Sequence, residues 1–284
     1  MDSRYLLLDG KKKATGSPLI DVDNRTFRFG DGCFETLKVL SGRIPLFSFH
    51  VDRLFFSLEQ LDMAIPPHLS AERLEQQIIE LATVNGHASN ARIRLTFFRG
   101  SGGLYDPDAS YPHWLIQSWS GPEWTGKINL NGVDLGIYPD ARKSCDRFSN
   151  LKSAQFLAYS MAARWAKKNH CNDAVVLNAN GRVADTTISN LFALVEGSWR
   201  TPPLAEGPIS GIMRRHMLAE MRKGGIPVEE VPLSVEDLAA AQEIFLTNVM
   251  SGIRWVKKMG NNQFTNAATV QLYHQIIVPL WKKS

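Results

Sequence analysis

Lys152 lies in the run Arg147-Phe-Ser-Asn-Leu-Lys-Ser153, after an alternating stretch from Val133 to Tyr138 and before the apolar segment Ala154 to Trp165. A lysine held at the edge of a buried site beside cationic neighbours loses proton affinity, and its amine becomes a nucleophile. Four other segments carry residue types that could do chemistry. Phe29-Gly-Asp-Gly-Cys-Phe-Glu-Thr36 is a glycine-bracketed turn entering a strand; taken alone, it reads as a structural turn. His50-Val-Asp-Arg53-Leu sets an arginine in an apolar helical face, where a long basic side chain commonly lies along the surface with its head in water. Gly207-Pro-Ile-Ser-Gly-Ile-Met-Arg214 puts Gly, Pro and Ser ahead of a helix. Free N–H groups at a helix start form a seat for phosphate, although glycine-led starts are also common without a ligand. Asp185-Thr-Thr-Ile-Ser-Asn190-Leu-Phe carries an acid into a buried strand. Such an acid needs a partner, and a cationic cofactor nitrogen would serve.

The elements that must position these residues are legible as an α/β pattern in two domains. With 284 residues, 44% hydrophobic and 21% charged, the chain can bury a sizeable core. In the first 120 residues, β-like runs (Tyr5 to Leu8, Glu35 to Leu40, Ala91 to Phe98, His113 to Ser118) mix with two helical patterns, Phe47 to Met63 and one opened by Ser70. Gly121-Pro-Glu-Trp-Thr-Gly126 punctuates the middle and predicts a linker, so the domains are expected at 1–120 and 127–284. The second half predicts strands over Ile128–Tyr138, Ala174–Leu177, Val183–Asp185, Leu191–Val195 and Glu243–Thr247. It also predicts helices over Ser153–Asn169, Gly211–Lys223 and Ala267–Leu280. Asn178-Ala-Asn-Gly181 is a hairpin signal, because Asn-Gly tolerates positive φ.

The net charge of +4 comes from scattered basic residues. That field favours small anionic ligands over nucleic acid, since no basic stripe with interleaved aromatics appears. Cys33, Cys145 and Cys171 are odd in number and far apart, which suggests neither a disulfide framework nor a metal site and fits a reduced, cytoplasmic protein. No apolar run approaches bilayer length, so no membrane partner is expected.

Taken in this order, the segments resemble the fold-type IV (class IV) pyridoxal phosphate enzymes, the family of branched-chain and D-amino acid aminotransferases and aminodeoxychorismate lyase. The resemblance runs from Phe29 to about Val256. It implies that Lys152 forms the Schiff base with pyridoxal 5'-phosphate and that Arg53 contacts its phosphate. Backbone amides of Ile212 and Met213, after Gly211, would complete the phosphate seat, as would those of Val249 and Met250 after Asn248. Asp185 takes the place of the family's glutamate facing the pyridine nitrogen, and Asn190 would anchor its strand. The division of labour is one the cofactor requires: a lysine to hold it and shuttle protons, a carboxylate to keep the ring protonated, donors for phosphate. Phe34, Arg99, Tyr105 and Arg142 are candidates for substrate contact. A homodimer is also implied.

Three positions depart from the family pattern. Asp185 is a methylene short, Met213 replaces a usual threonine, and Leu157 stands where branched-chain enzymes have a tyrosine. Gly211-Ile-Met-Arg214, Asn248 and Arg99-Gly-Ser-Gly-Gly103 resemble the lyase, although Leu104-Tyr105-Asp106 does not continue its pattern. The expected activity is therefore aminodeoxychorismate lyase, with amino acid transamination as the alternative and a non-catalytic cofactor-binding protein as a third reading resting on the short Asp185.

Overall fold

The computed structural model describes residues 3–16, 18–105, 111–122 and 126–282. The middle of the expected linker, 123–125, and Asp106 lie outside these. The chain divides into two compact units: Met1–Trp124 with Leu151–Gln155, and Thr125–Asn150 with Phe156–Lys283.

The first unit is a five-stranded sheet backed by helices. Its strands are β1 (Tyr5–Leu8), β2 (Lys11–Ala14), β3 (Gly32–Leu40), β4 (Asn90–Phe98) and β5 (His113–Ser120), in the order β2-β1-β5-β4-β3. The helices are α1 (Arg25–Phe29), α2 (Phe47–Gln60) and α3 (Ala71–Val84). Ser70 caps α3, its side chain accepting from the Arg73 N–H, which fixes where the pattern can start. Strand alternation places Cys33, Leu37, Val39, Ala91, Ile93, Leu95 and Phe97 in one core with Leu54, Leu58, Leu74 and Ile78 of α2 and α3. The short α1 is invisible to periodicity; Asn24 caps its start and Gly30, at φ 70°, its end. Gly32 is needed for another reason, since a Cβ there would meet the Phe97 carbonyl oxygen at 2.5 Å. The glycine-bracketed turn is thus a helix stop followed by close strand packing.

The second unit holds a nine-stranded sheet. Its strands are β6 (Val133–Lys143), β7 (Asp173–Asn178), β8 (Val183–Thr186), β9 (Asn190–Val195), β10 (Ser198–Thr201), β11 (Val228–Glu230), β12 (Glu243–Asn248), β13 (Gly252–Met259) and β14 (Asn262–Gln263). They run β11-β10-β9-β12-β13-β6-β7-β8, with β14 beside β13. Helices α4 (Leu157–Lys168), α5 (Ile212–Lys223), α6 (Val235–Ala240), α7 (Ala267–Leu272) and α8 (Val278–Lys282) accompany it. The hairpin expected at Asn178–Gly181 joins antiparallel β7 and β8, with Gly181 at φ 74°. Strands β10, β11, β13 and β14 have no equivalent among the elements expected from sequence.

One element differs from its expected form in a way that matters. The helix predicted to open at Ser153 begins at Leu157. The preceding residues are bonded to the start of β3: Phe34 N–H donates to the Lys152 carbonyl at 2.9 Å and Ala154 N–H to the Gly32 carbonyl at 2.8 Å. A β-bridge joins Cys33 to Ser153. Lys152 therefore belongs to the first unit, interrupting the domain expected over 127–284.

Candidate active site

In the first unit, the backbone bonds that flank Lys152 hold its amine 4.7 Å from the centroid of the Phe34 ring. The guanidinium of Arg94 approaches the same ring at 3.7 Å. Two cations thus share one aromatic platform, an attraction of about 0.5–2 kcal/mol each. Phe34, Thr36 and Lys38 pair with Thr96, Arg94 and Arg92 across β3 and β4. By alternation these six residues share the sheet face opposite the helices. That face is cationic. Lys38 is buried, and burial pulls its pKa down to about 8.

Arg53 does not lie with its head in water. Its Nε donates to Glu35 Oε1 at 2.7 Å and its Nη2 to Oε2 at 2.6 Å, while His50 Nδ1 bonds Oε2 at 2.7 Å. Burial alone would raise the Glu35 carboxyl, but the Arg53 charge and the bonds from His50 and Arg53 bring it down to about 2. Sequence reasoning misses Glu35 and His50. The signal is there: an acid between apolar strand residues, and a histidine one turn before Arg53 on the same helical face.

The second unit gathers the other candidates. Asp185 is buried in β8. Its Oδ2 accepts from the Ile209 N–H at 2.9 Å, and Tyr159 Oη donates to Oδ1 at 3.1 Å and Oδ2 at 2.9 Å. Lys143 Nζ stands 3.7 Å from Oδ2. Asn190 donates to the Ile209 carbonyl at 2.9 Å, and a Cβ on Gly211 would collide with the Asn190 side-chain oxygen. Gly211 is the N-cap of α5 and provides no side-chain cap, so the first amides of that helix receive no capping oxygen from it. The Met213 side chain is buried.

Other expected contacts are placed differently. The amide of Met250 donates to Asn248 Oδ1 at 3.0 Å, and that of Ser251 to the same oxygen at 2.9 Å. Asn248 therefore shapes its own turn, and the Met250 amide is engaged there. The Asn248 amide nitrogen also donates to Ser189 Oγ at 3.0 Å. Arg99 is tied to Asp31 at 3.2 Å and to the carbonyls of Leu61 and Asp62. It braces the turn before β3. Arg142 donates to the Pro139 and Ala141 carbonyls at 2.9 and 3.2 Å, and Tyr105 is 92% exposed. Of the four substrate candidates, Phe34 is held against Lys152.

A lysine beside an aromatic and cationic face in the first unit, and an uncapped helix start and a buried carboxylate in the second, are residue types that phosphate-cofactor chemistry uses. The chain matches the model of the amino-transferase class IV family over residues 32–259 and belongs to that family. It is 27% identical to an aminodeoxychorismate lyase of Vibrio harveyi over 236 residues, 82% of this chain and 85% of that one. It is 26% identical to a D-alanine aminotransferase of Listeria monocytogenes over 235 residues, 81% of this chain and 78% of that one. In fold it is similar to the branched-chain aminotransferase of the archaeon Thermoproteus uzoniensis solved with norvaline, at a TM-score of 0.87 and 22% identity, over 99% of this chain and 97% of that one. Class IV aminotransferases use pyridoxal 5'-phosphate, and this chain is an enzyme of that family. Among the described residues no helix is long and apolar enough to cross a membrane, and no cluster of His, Cys, Asp and Glu could hold a metal ion.

Proposed function

We propose that the enzyme is a 4-amino-4-deoxychorismate lyase, releasing pyruvate and leaving 4-aminobenzoate. The observation that carries this reading is the cationic sheet face beside Lys152. Arg94 and Lys152 share the Phe34 ring, with Lys38 and Arg92 one step further along the same face. Aminodeoxychorismate bears two carboxylates, and a face with several cations suits such a substrate better than a branched aliphatic side chain. Leu157, 73% exposed, lends no hydroxyl of the kind branched-chain enzymes use at that place.

Pyridoxal phosphate, when bound, supplies the electron sink that makes the proton on the amine-bearing carbon removable. The protein's own residues do the rest. The Lys152 amine holds the cofactor and takes that proton, its position fixed by the backbone bonds to Gly32 and Phe34. The Asp185 carboxylate holds the proton on the ring nitrogen, and the first amides of α5, with Arg53, hold the phosphate. Arg53 arrives already oriented by Glu35, so little rotamer freedom remains to be lost. Transamination is the second reading, supported by the D-alanine aminotransferase among the relatives above. Adding aminodeoxychorismate to the purified holoenzyme decides between them. Stoichiometric 4-aminobenzoate and pyruvate are expected; intact aminodeoxychorismate alongside full conversion of the cofactor by a D- or branched-chain amino acid would establish the transaminase.

A further inference from the structure

Asp185 is a methylene shorter than glutamate, yet its carboxylate is closely held. Tyr159 on α4 donates to both oxygens, at 3.1 and 2.9 Å. Lys143 on β6 brings its ammonium to 3.7 Å from Oδ2 and 5.0 Å from the centroid of the Tyr159 ring, while also donating to the Ser149 carbonyl at 3.0 Å. The loop before α5 adds the Ile209 amide at 2.9 Å. Tyr159 and Asp185 are buried, the Lys143 side chain is 9% exposed, and Phe156 packs 4.5 Å from the Tyr159 ring. Beyond this group, Cys145 and Asp146 also act on Lys143. Burial, then the Asp185 charge, keeps the phenol protonated, so it remains a donor. Burial favours neutral Lys143 while Asp185 favours the cation.

We propose that Tyr159 and Lys143 are positioning residues for Asp185: the phenol fixes the rotamer of the shortened carboxylate, and the lysine offsets part of its charge. Between them they set how strongly Asp185 favours a protonated cofactor ring. This rests on the reading of Asp185 given above. The two residues act with opposite signs. A carboxylate aimed at the ring nitrogen keeps the ring positive, which lowers the proton affinity of the nitrogen joining the cofactor to Lys152. Loosening Asp185 raises that affinity, whereas removing a competing cation lowers it. General loss of packing would not produce opposite shifts.

The test is a pH titration of the visible absorbance of the enzyme loaded with pyridoxal 5'-phosphate, with melting followed in parallel. Tyr159→Phe should raise the titration midpoint by about one pH unit, and Lys143→Gln should lower it by about half a unit. Lys143→Arg keeps the charge and should leave the midpoint near that of the wild type. In Tyr159→Phe, kcat should fall about 10-fold while KM changes by less than about 3-fold. Asp185→Glu introduced into Tyr159→Phe should move the midpoint back, because the longer acid needs no tether. Unchanged midpoints, or shifts of the same sign in both single variants, would overturn the proposal while leaving the cofactor assignment in place. A wild-type protein that takes up no pyridoxal phosphate would overturn the assignment and this proposal together.

Discussion

Two buried acids, one in each unit, are held in opposite ways. Glu35 accepts from a guanidinium at 2.7 and 2.6 Å and from a histidine at 2.7 Å, so its charge is matched within the protein. Asp185 accepts from a phenol at 3.1 and 2.9 Å and from a backbone amide at 2.9 Å, with the Lys143 ammonium 3.7 Å from Oδ2. A buried charge with a bidentate partner is a structural joint, and removing one side strands the other. A buried charge held mostly by neutral donors keeps more of its field for a further partner. Two acids that look alike in sequence therefore differ in kind. The first orients Arg53; the second is the acid we propose for the cofactor nitrogen.

The largest expected effect lies in the second unit. Asp185→Asn should retain cofactor on the lysine but lower kcat by about 10²–10³-fold, the scale on which a preorganised charge acts. Its melting temperature should move little. Glu35→Gln should do the reverse, destabilising the protein by about 3 kcal/mol as Arg53 and His50 lose their common acceptor. Chemical denaturation of both variants compares them directly, and equal stability losses would erase the distinction.

Acid sharpens the same contrast. A carboxyl held at about 2 instead of the ordinary 4.5 corresponds to about 3 kcal/mol of stability. Because the folded value is the lower one, that stability is fully present above pH 4.5 and is lost as pH falls toward 2. Between those values the wild type should lose its margin over Glu35→Gln, and the two denaturation curves should converge. Arg53→Ala should weaken cofactor binding by about 1.5–3 kcal/mol through the lost charge-assisted contact; an unchanged dissociation constant would leave Arg53 as the partner of Glu35 alone. The smallest effect concerns Lys38. Its charge fades as pH rises through about 8, so KM for a dicarboxylate substrate should rise about 2- to 5-fold above that pH, and Lys38→Met should remove the dependence.

Local chemistry made much of this readable. The Ser70 cap, the Asn178–Gly181 hairpin and the Gly211 helix start are written in residues whose preferences act within a few positions. What escaped is long-range. Ser153 to Gln155 have the composition of a helix start, but their backbone is taken by β3, about 120 residues earlier. Glu35 and His50 sit 15 positions apart, and Tyr159 and Asp185 sit 26 apart; no periodicity joins either pair. Arg53 illustrates the cost. Read on its own helix it is a surface cation, and only the neighbouring strand reveals the acid that buries it.

Lys152 is the residue we propose to carry the cofactor. Borohydride reduction of the purified enzyme loaded with pyridoxal 5'-phosphate, followed by peptide mapping, tests it directly. The visible absorbance should disappear and one phosphopyridoxyl group should be found on Lys152, with none in Lys152→Ala. Labelling at Lys143, Lys167 or Lys168 in its place would contradict the account.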